Sequence, residues 1–311
     1  MNAVIEVILP VFGLVALGYA ATWLPQFDAA ARRGLSTYVF YFALPVTLFR
    51  TASGPNAPAE IAWGFLAIYY LSTFAVLAIG AAFARYARGR SVAEAVILGF
   101  AGCYSNMLLL GIPIILTTFG EPGTVAAFML IAFHSVLLFP TITVLIEVNR
   151  GRAAGLRDLP LNTLKGLGTN PILISLALGF VFGGLGLRLP LAIDTVAQSL
   201  AVSAVPCALF ALGASMRQYK LIGGLTEALP FVALKLVGLP AMTWLVAHLL
   251  FTVDPLWVAV AVVVAGLPTG VNVYLFAERY QLAVAETAQV SVLTTIGAVV
   301  TLSALIVLYR P

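Results

Sequence analysis

The sequence predicts an all-α membrane protein of about ten transmembrane helices, arranged as two inverted five-helix repeats, and three observations carry that prediction. Hydrophobic residues make up 62% of the 311 residues and charged ones only 9%, whereas a soluble domain devotes about a quarter of its residues to charge. Apolar runs of roughly 20 residues, the length that crosses ~30 Å of hydrocarbon, recur from end to end. Short strings from the first half return in the second, in the same order.

Ten runs emerge when apolar stretches are read against polar breaks. The first, 3–24, opens MNAVIEVILP without the basic n-region of a cleaved signal peptide and is expected to be retained. Arg32 and Arg33 follow it, and the second run, 33–51, ends at Arg50. The third, 61–85, closes on Arg85, Arg88 and Arg90; the fourth, 92–118, carries the string YSNMLLLGIP at 104–113. The fifth, 123–148, contains His134 and precedes the longest polar stretch, Asn149 to Asn170, with Arg150, Arg152, Arg157 and Lys165. The sixth, 169–187, ends at Arg188, and the seventh, 191–216, is followed by Arg217 and Lys220. The eighth, 228–250, encloses Lys235; the ninth, 256–278, carries AGLPTGVNVY at 265–274 and ends before Arg279; the tenth, 284–309, precedes Arg310.

These charges set an orientation. Twelve of the sixteen basic residues follow odd-numbered runs, three lie on the opposite side, and Lys235 is inside a run. The positive-inside rule places both termini outside the cytoplasm. The basic groups form no stripe on any one element, so the net charge of +4 is topogenic rather than a nucleic-acid footprint. Cys103 and Cys207 lie inside apolar runs with neither disulfide nor metal-ligand spacing and are expected as free thiols.

The repeat is visible in four places. ALGY at 16–19 returns as ALGF at 177–180, and ALPVTLF at 43–49 as AVPCALF at 204–210. AGCYS at 101–105 matches AGLPT at 265–269, and SVL at 135–137 recurs at 291–293. With five helices in each half, the repeats are expected to be inverted: residues 1–150, a cytoplasmic linker at 151–168, then 169–311. Inverted repeats are a common plan of secondary transporters, with substrate held between them near the midplane.

Among the prolines inside runs are Pro45, Pro113, Pro140, Pro206, Pro240 and Pro268. Each removes one backbone hydrogen bond, and in lipid the freed groups must be satisfied by protein or by water lining a cavity. Pro140 and Pro240 read as packed kinks. The fourth and ninth runs read as broken helices. Ser105, Asn106, Gly111 and Pro113 combine polar groups, a flexible glycine and a missing donor within a few turns, as do Pro268, Thr269, Gly270 and Asn272. A broken helix presents free N–H groups at the positive end of its second half, which suits an anion.

The acids support that polarity. All twelve, from Glu6 to Glu286, lie near run ends or in loops, so no midplane carboxylate is available to an organic cation, and the substrate is expected to be anionic or neutral. A sodium site would depend on carbonyls, hydroxyls and amides. His134, ~15 Å into its helix, either carries a proton, binds a carboxylate, or packs as a neutral side chain. Lys235 either snorkels to the nearer surface or supplies counter-charge.

With these residues in place, the chain resembles the auxin efflux carrier family, in its bacterial branch. The resemblance rests on N-x4-G-I-P ending at Pro113, LFALGASM at 209–216, KLVGLP at 235–240 and LPTGVNVYLFAERY at 267–280. It covers essentially the whole chain. It implies that helices 4 and 9 cross at their proline breaks, with Asn106, Pro113 and Pro268 in the crossover. It also implies a scaffold and a mobile transport domain working as an elevator in a homodimer in the inner membrane, with carboxylate substrates such as malonate, malate or auxin. The plant carriers have a second proline where this chain has Val273, and many have a long central loop where this one has about twenty residues. No cofactor is expected, and the coupling ion, proton or sodium, is left open.

Competing readings are a drug/metabolite exporter, whose termini face the cytoplasm, and a sensor that binds the ligand without moving it. A membrane-embedded enzyme would need clustered acids and histidines or a nucleophile with its base, and the chain has two histidines and no deep acid. The charge bias makes one direct prediction. Alkaline phosphatase fused after Pro311 is expected to be active, and a fluorescent protein there dark; the reverse pattern overturns the topology.

Overall fold

The computed structural model describes residues 2–54, 62–149, 168–218 and 225–309, with Leu161 and Lys165. The expected linker at 151–168 lies outside the described residues except for Leu161, Lys165 and Gly168. The described residues are helical apart from short connections and hold no strand, only one isolated antiparallel bridge.

The helices are α1 Asn2–Ala21, α2 Ala29–Tyr38, α3 Leu44–Ala52, α4 Trp63–Ala82, α5 Val92–Ala101 and α6 Ile112–Asn149. They continue with α7 Pro171–Gly184, α8 Leu191–Ser215, α9 Leu229–Ala233, α10 Leu239–Leu250, α11 Pro255–Ala265, α12 Val271–Tyr280 and α13 Val284–Tyr309. Five helical stretches are long and apolar enough to cross a membrane: Trp63–Ala87, Met107–Asn149, Leu191–Ser215, Leu229–Leu250 and Val284–Tyr309. Leu9–Ala21, Val92–Ala101, Pro171–Gly184 and Pro255–Ala265 are shorter apolar helices. Met107–Asn149 has 43 residues, which as one rod would run to ~65 Å, about twice the hydrocarbon thickness. It turns instead at Gly120, whose φ of 65° only glycine adopts without strain.

The prolines explain the irregular turns. π-helical turns at Val39–Ala43, Met107–Gly111 and Leu234–Gly238 lead directly into α3, α6 and α10, whose second residues are Pro45, Pro113 and Pro240. A proline cannot donate to the carbonyl four residues back and crowds it. The wider turn carries acceptors to donors five residues on, as Leu44 N–H bonds the Val39 carbonyl and Leu239 N–H that of Leu234. Pro206 sits inside α8 without such a turn.

The chain divides into two compact units that do not follow its sequence halves. The first comprises residues 1–61, 108–132 and 161–217. Within it α1 packs on α8 through glycine: a Cβ at Gly18 would overlap the Phe210 carbonyl, and one at Gly213 the Val15 carbonyl. Gly179 and Gly183, four apart on α7, press in the same way against Phe49, Ala52 and Ser53 at the end of α3. Close backbone approach at small residues is how helices associate where lipid competes for every apolar side chain. Arg50 pairs with Asp194 at 3.0 Å and Tyr38 Oη lies 2.6 Å from Ser203 Oγ.

The second unit comprises residues 62–107, 133–160 and 218–311. α4 meets α5 where Gly80 lies against Gly99, and α10 and α11 pack on the same face of α4 as neighbours. One end is tied by ions: Arg90 bonds Glu286 at 2.5 Å and Glu94 at 3.6 Å, and Arg88 bonds Glu227 at 3.1 Å. Exposed large apolar side chains such as Leu178, Val202, Leu249 and Val300 point outward from their helices, the surface of a protein whose solvent is lipid.

Gly213→Ala is expected to lower the melting temperature of the detergent-purified protein by about 5 °C or more, the effect of overpacking at ~1–3 kcal/mol. Gly13→Ala, where a Cβ would meet nothing within 4 Å, is expected to leave it unchanged. Thermal unfolding followed by tryptophan fluorescence separates the two.

Candidate functional site

Inside the second unit two helices stop in the middle of apolar sequence. α5 ends at Ala101, Gly102 and Cys103 form a turn, and Tyr104 to Asn106 lie outside any helix before the π turn begins at Met107. α11 ends at Ala265, and α12 begins only at Val271. Gly102 and Gly266 form the two C-caps.

The interruptions satisfy each other. Ser105 and Thr269 form the antiparallel bridge, with Asn106 N–H donating to the Pro268 carbonyl at 2.9 Å and Gly270 N–H to that of Tyr104 at 3.0 Å. Ser105 and Thr269 are also matched in the repeated strings AGCYS and AGLPT. Gly270 has to be glycine here, because a Cβ would strike the Tyr104 ring at 2.7 Å. Thr269 is tied twice more: its N–H donates to Thr294 Oγ1 at 3.0 Å, and its hydroxyl to the Ala101 carbonyl at 2.7 Å.

Around the bridge lies a polar cluster within an apolar interior. Tyr69 Oη donates to Ser105 Oγ at 2.9 Å. Tyr104 Oη lies 3.1 Å from Ser135 Oγ and accepts from Asn272 Nδ2 at 3.2 Å. The Tyr104 ring stacks on His134 at 4.3 Å between centroids, with Tyr69 and Tyr70 also beside the imidazole. His134 is 3% exposed. It approaches the Ser105 backbone without completing a hydrogen bond of normal geometry at either ring nitrogen.

Asn106, like the His134 ring, departs from this saturation. It is 5% exposed, its backbone is committed to the bridge, and its side-chain Nδ2 has no partner. A buried amide donor without an acceptor costs ~1–3 kcal/mol, so such groups in native structures call for a reason. Across the bridge the chain leads from Thr269 into α12, whose N-cap Gly270 supplies no side-chain bond, leaving first-turn N–H groups at the positive end of the helix. The combination can hold a carboxylate or similar anion: a neutral amide donor, helix-end N–H groups, and no acid beside them to repel it.

The residues singled out in the sequence are distributed as follows. Ser105, Asn106, Pro268, Thr269, Gly270 and Asn272 belong to the two interruptions, with His134 packed on them. Gly111 and Pro113 lie past the break, at the π turn and the start of α6, and fall in the first unit. Lys235 does not snorkel: it is fully buried and its Nζ donates to the Ala265 carbonyl at 2.6 Å. The helix-end carbonyl gives the ammonium a partner inside the protein. Tyr69, Tyr104 and Ser135 were not apparent from the sequence, where a tyrosine or serine in an apolar run reads as packing. Among the described residues no three His, Cys, Asp or Glu side chains converge as a metal site.

A family model described as a membrane transport protein matches residues 3–306. A protein of Rhizobium meliloti (strain 1021) named as a candidate malonate transporter is 29% identical over 310 residues, covering 100% of this chain and 97% of the relative. Auxin efflux carrier component 8 of Arabidopsis thaliana is 24% identical over 332 residues, covering 90% of each.

Thr269→Val removes the donor to Ala101 while keeping shape, and is expected to destabilise the protein by roughly 1–3 kcal/mol, the cost of a buried carbonyl left unpaired. Thr301→Val, whose hydroxyl bond to Gly297 is long at 3.4 Å, serves as the control in the same thermal assay and is expected to be near neutral.

Proposed function

We propose, from the premise that the chain belongs to the auxin efflux carrier family of membrane transport proteins and is a transporter rather than an enzyme, that it moves a small organic anion by secondary transport. The observation that carries the proposal is the unpaired, buried Nδ2 of Asn106 at the bridge whose other strand leads into the uncapped start of α12. In this reading one carboxylate oxygen accepts from Asn106 and the other from the first N–H groups of α12, Val271 and Asn272. The Asn272 side chain, held on Tyr104 Oη, lines the same place. A charge-assisted bond to a desolvated carboxylate is worth ~1.5–3 kcal/mol. A dicarboxylate such as malonate or malate fits the anion chemistry and the printed name of the bacterial relative.

The architecture proposed with it has ten helices in two inverted repeats, 1–150 and 169–311, joined by the linker 151–168, with helices 4 and 9 crossing at their breaks. Two observations favour this. The residues bridged to one another, Ser105 and Thr269, are the ones the repeat makes equivalent, as a two-fold axis between them requires. Each compact unit also draws helices from both halves of the sequence. An elevator follows naturally: the unit carrying the bridge transports, the other is the scaffold. Assembly as a homodimer in the inner membrane, with both termini outside the cytoplasm, completes the proposal. Gly111 and Pro113 act indirectly in it, setting the direction of α6 beyond the break.

Counterflow in proteoliposomes loaded with malonate, malate or an aromatic acid is expected to show uptake of at least one, with sodium and proton gradients varied separately. Asn106→Ala is expected to lower that uptake by about 10- to 100-fold at unchanged membrane insertion, the loss of one buried anion contact. No uptake of any acid by the natural protein overturns the function; normal uptake by the variant overturns the site.

A further inference from the structure

The two helix ends at the bridge are repeat-equivalent, yet they are closed by different chemistry. A helix C-terminus in the membrane has carbonyls without intrahelical donors and carries about half a negative charge. At the end of α5, Gly102 N–H serves Leu98 and Gly99, Tyr104 N–H serves Phe100, and the Ala101 carbonyl accepts from the neutral hydroxyl of Thr269 at 2.7 Å. At the end of α11, Gly266 N–H serves Val262 and Leu267 N–H serves Val264. The Ala265 carbonyl, which the repeat matches to Ala101, accepts from an ammonium: Lys235 Nζ at 2.6 Å.

Lys235 reaches this place from the π turn Leu234–Gly238, which leads into Pro240. Its side chain is fully buried, and among the described residues it pairs with no carboxylate. The titratable groups close enough to sense it are Cys103 and His134, neither of them a carboxylate. An ammonium left without a counter-ion in an apolar interior is expensive, so its position on a helix-end carbonyl beside the anion site requires a function. In transporters with broken helices, half-helix C-terminal carbonyls are where a coupling cation is held.

We infer that Lys235 is a tethered cation: it occupies the position at the end of α11 that a coupling sodium ion would otherwise fill, so that the carrier works without sodium. The side chain places a tethered ammonium at the carbonyl end of the interruption whose N–H end receives the anion. This rests on the reading of the interruptions as the transport site, but its test is made on stability and needs no substrate, so a failure of the transport assay leaves it standing or falling on its own result.

The experiment is thermal unfolding of the purified full chain, in sodium chloride and in choline chloride. The natural protein is expected to melt at the same temperature in both. Lys235→Ala opens the site and is expected to melt about 5 °C or more lower in choline, and to recover at least half of that loss in sodium chloride or ethylammonium chloride. Lys235→Met fills the space without charge and is expected to show no recovery in either salt. A melting temperature of the natural protein that rises in sodium, or equal recovery of Lys235→Met and Lys235→Ala, overturns the inference. Because the first measurement requires no variant, failure of Lys235→Ala to fold leaves the natural protein and Lys235→Met to decide.

Discussion

A peptide group without a partner costs several kcal/mol in hydrocarbon, and that constraint organises the centre of this protein. Two helices stop inside the apolar sequence, and the groups they leave open are closed by each other. Asn106 N–H and Gly270 N–H reach across to the Pro268 and Tyr104 carbonyls, and the Thr269 hydroxyl takes the end of α5. The bridge is thus a miniature of β pairing, the local solution when helical hydrogen bonding is given up. Its neighbours follow from it: Gly270 because the Tyr104 ring lies against it, and Tyr69 because Ser105 needs a donor.

Saturation elsewhere gives the exceptions their meaning. Hydroxyls throughout the second unit bond carbonyls of their own helices, as at Ser72, Thr73, Thr243 and Ser291. Against that background an idle amide at Asn106 and an ammonium at Lys235 stand out, one a buried donor without an acceptor and the other a charge resting on a helix-end carbonyl. Both meet the interruption of the ninth run, Asn106 through its N–H on the Pro268 carbonyl and Lys235 through its Nζ on the Ala265 carbonyl.

The two units show how different packing demands share one chain. In the first, glycines at 18, 179, 183 and 213 bring backbones together, giving rigid helix pairs with little polar interior. In the second, the interior holds hydroxyls, amides, a histidine and a lysine, and one end is clamped by Arg88, Arg90, Glu94, Glu227 and Glu286.

Sequence alone determined the helical membrane class, because 20-residue apolar runs leave no other way to satisfy a backbone in lipid. It also located both interruptions, because proline and glycine leave a backbone signature that does not depend on distant partners. It placed Asn106, Pro268, Thr269, Gly270 and Asn272 at one centre through the repeated strings. What it left open depended on pairs far apart in the chain. Whether Lys235 snorkelled or stayed inside was decided by the Ala265 carbonyl thirty residues away. That Pro113 lies past the break rather than in it was decided by the π turn, which absorbs the missing donor. The parts of Tyr69, Tyr104 and Ser135 were decided by neighbours on other helices, since a hydroxyl in an apolar run has no local signature of what it will bond. The two broken helices were legible because their chemistry is local; their closure on each other, and the amide left over at Asn106, existed only once the helices had packed.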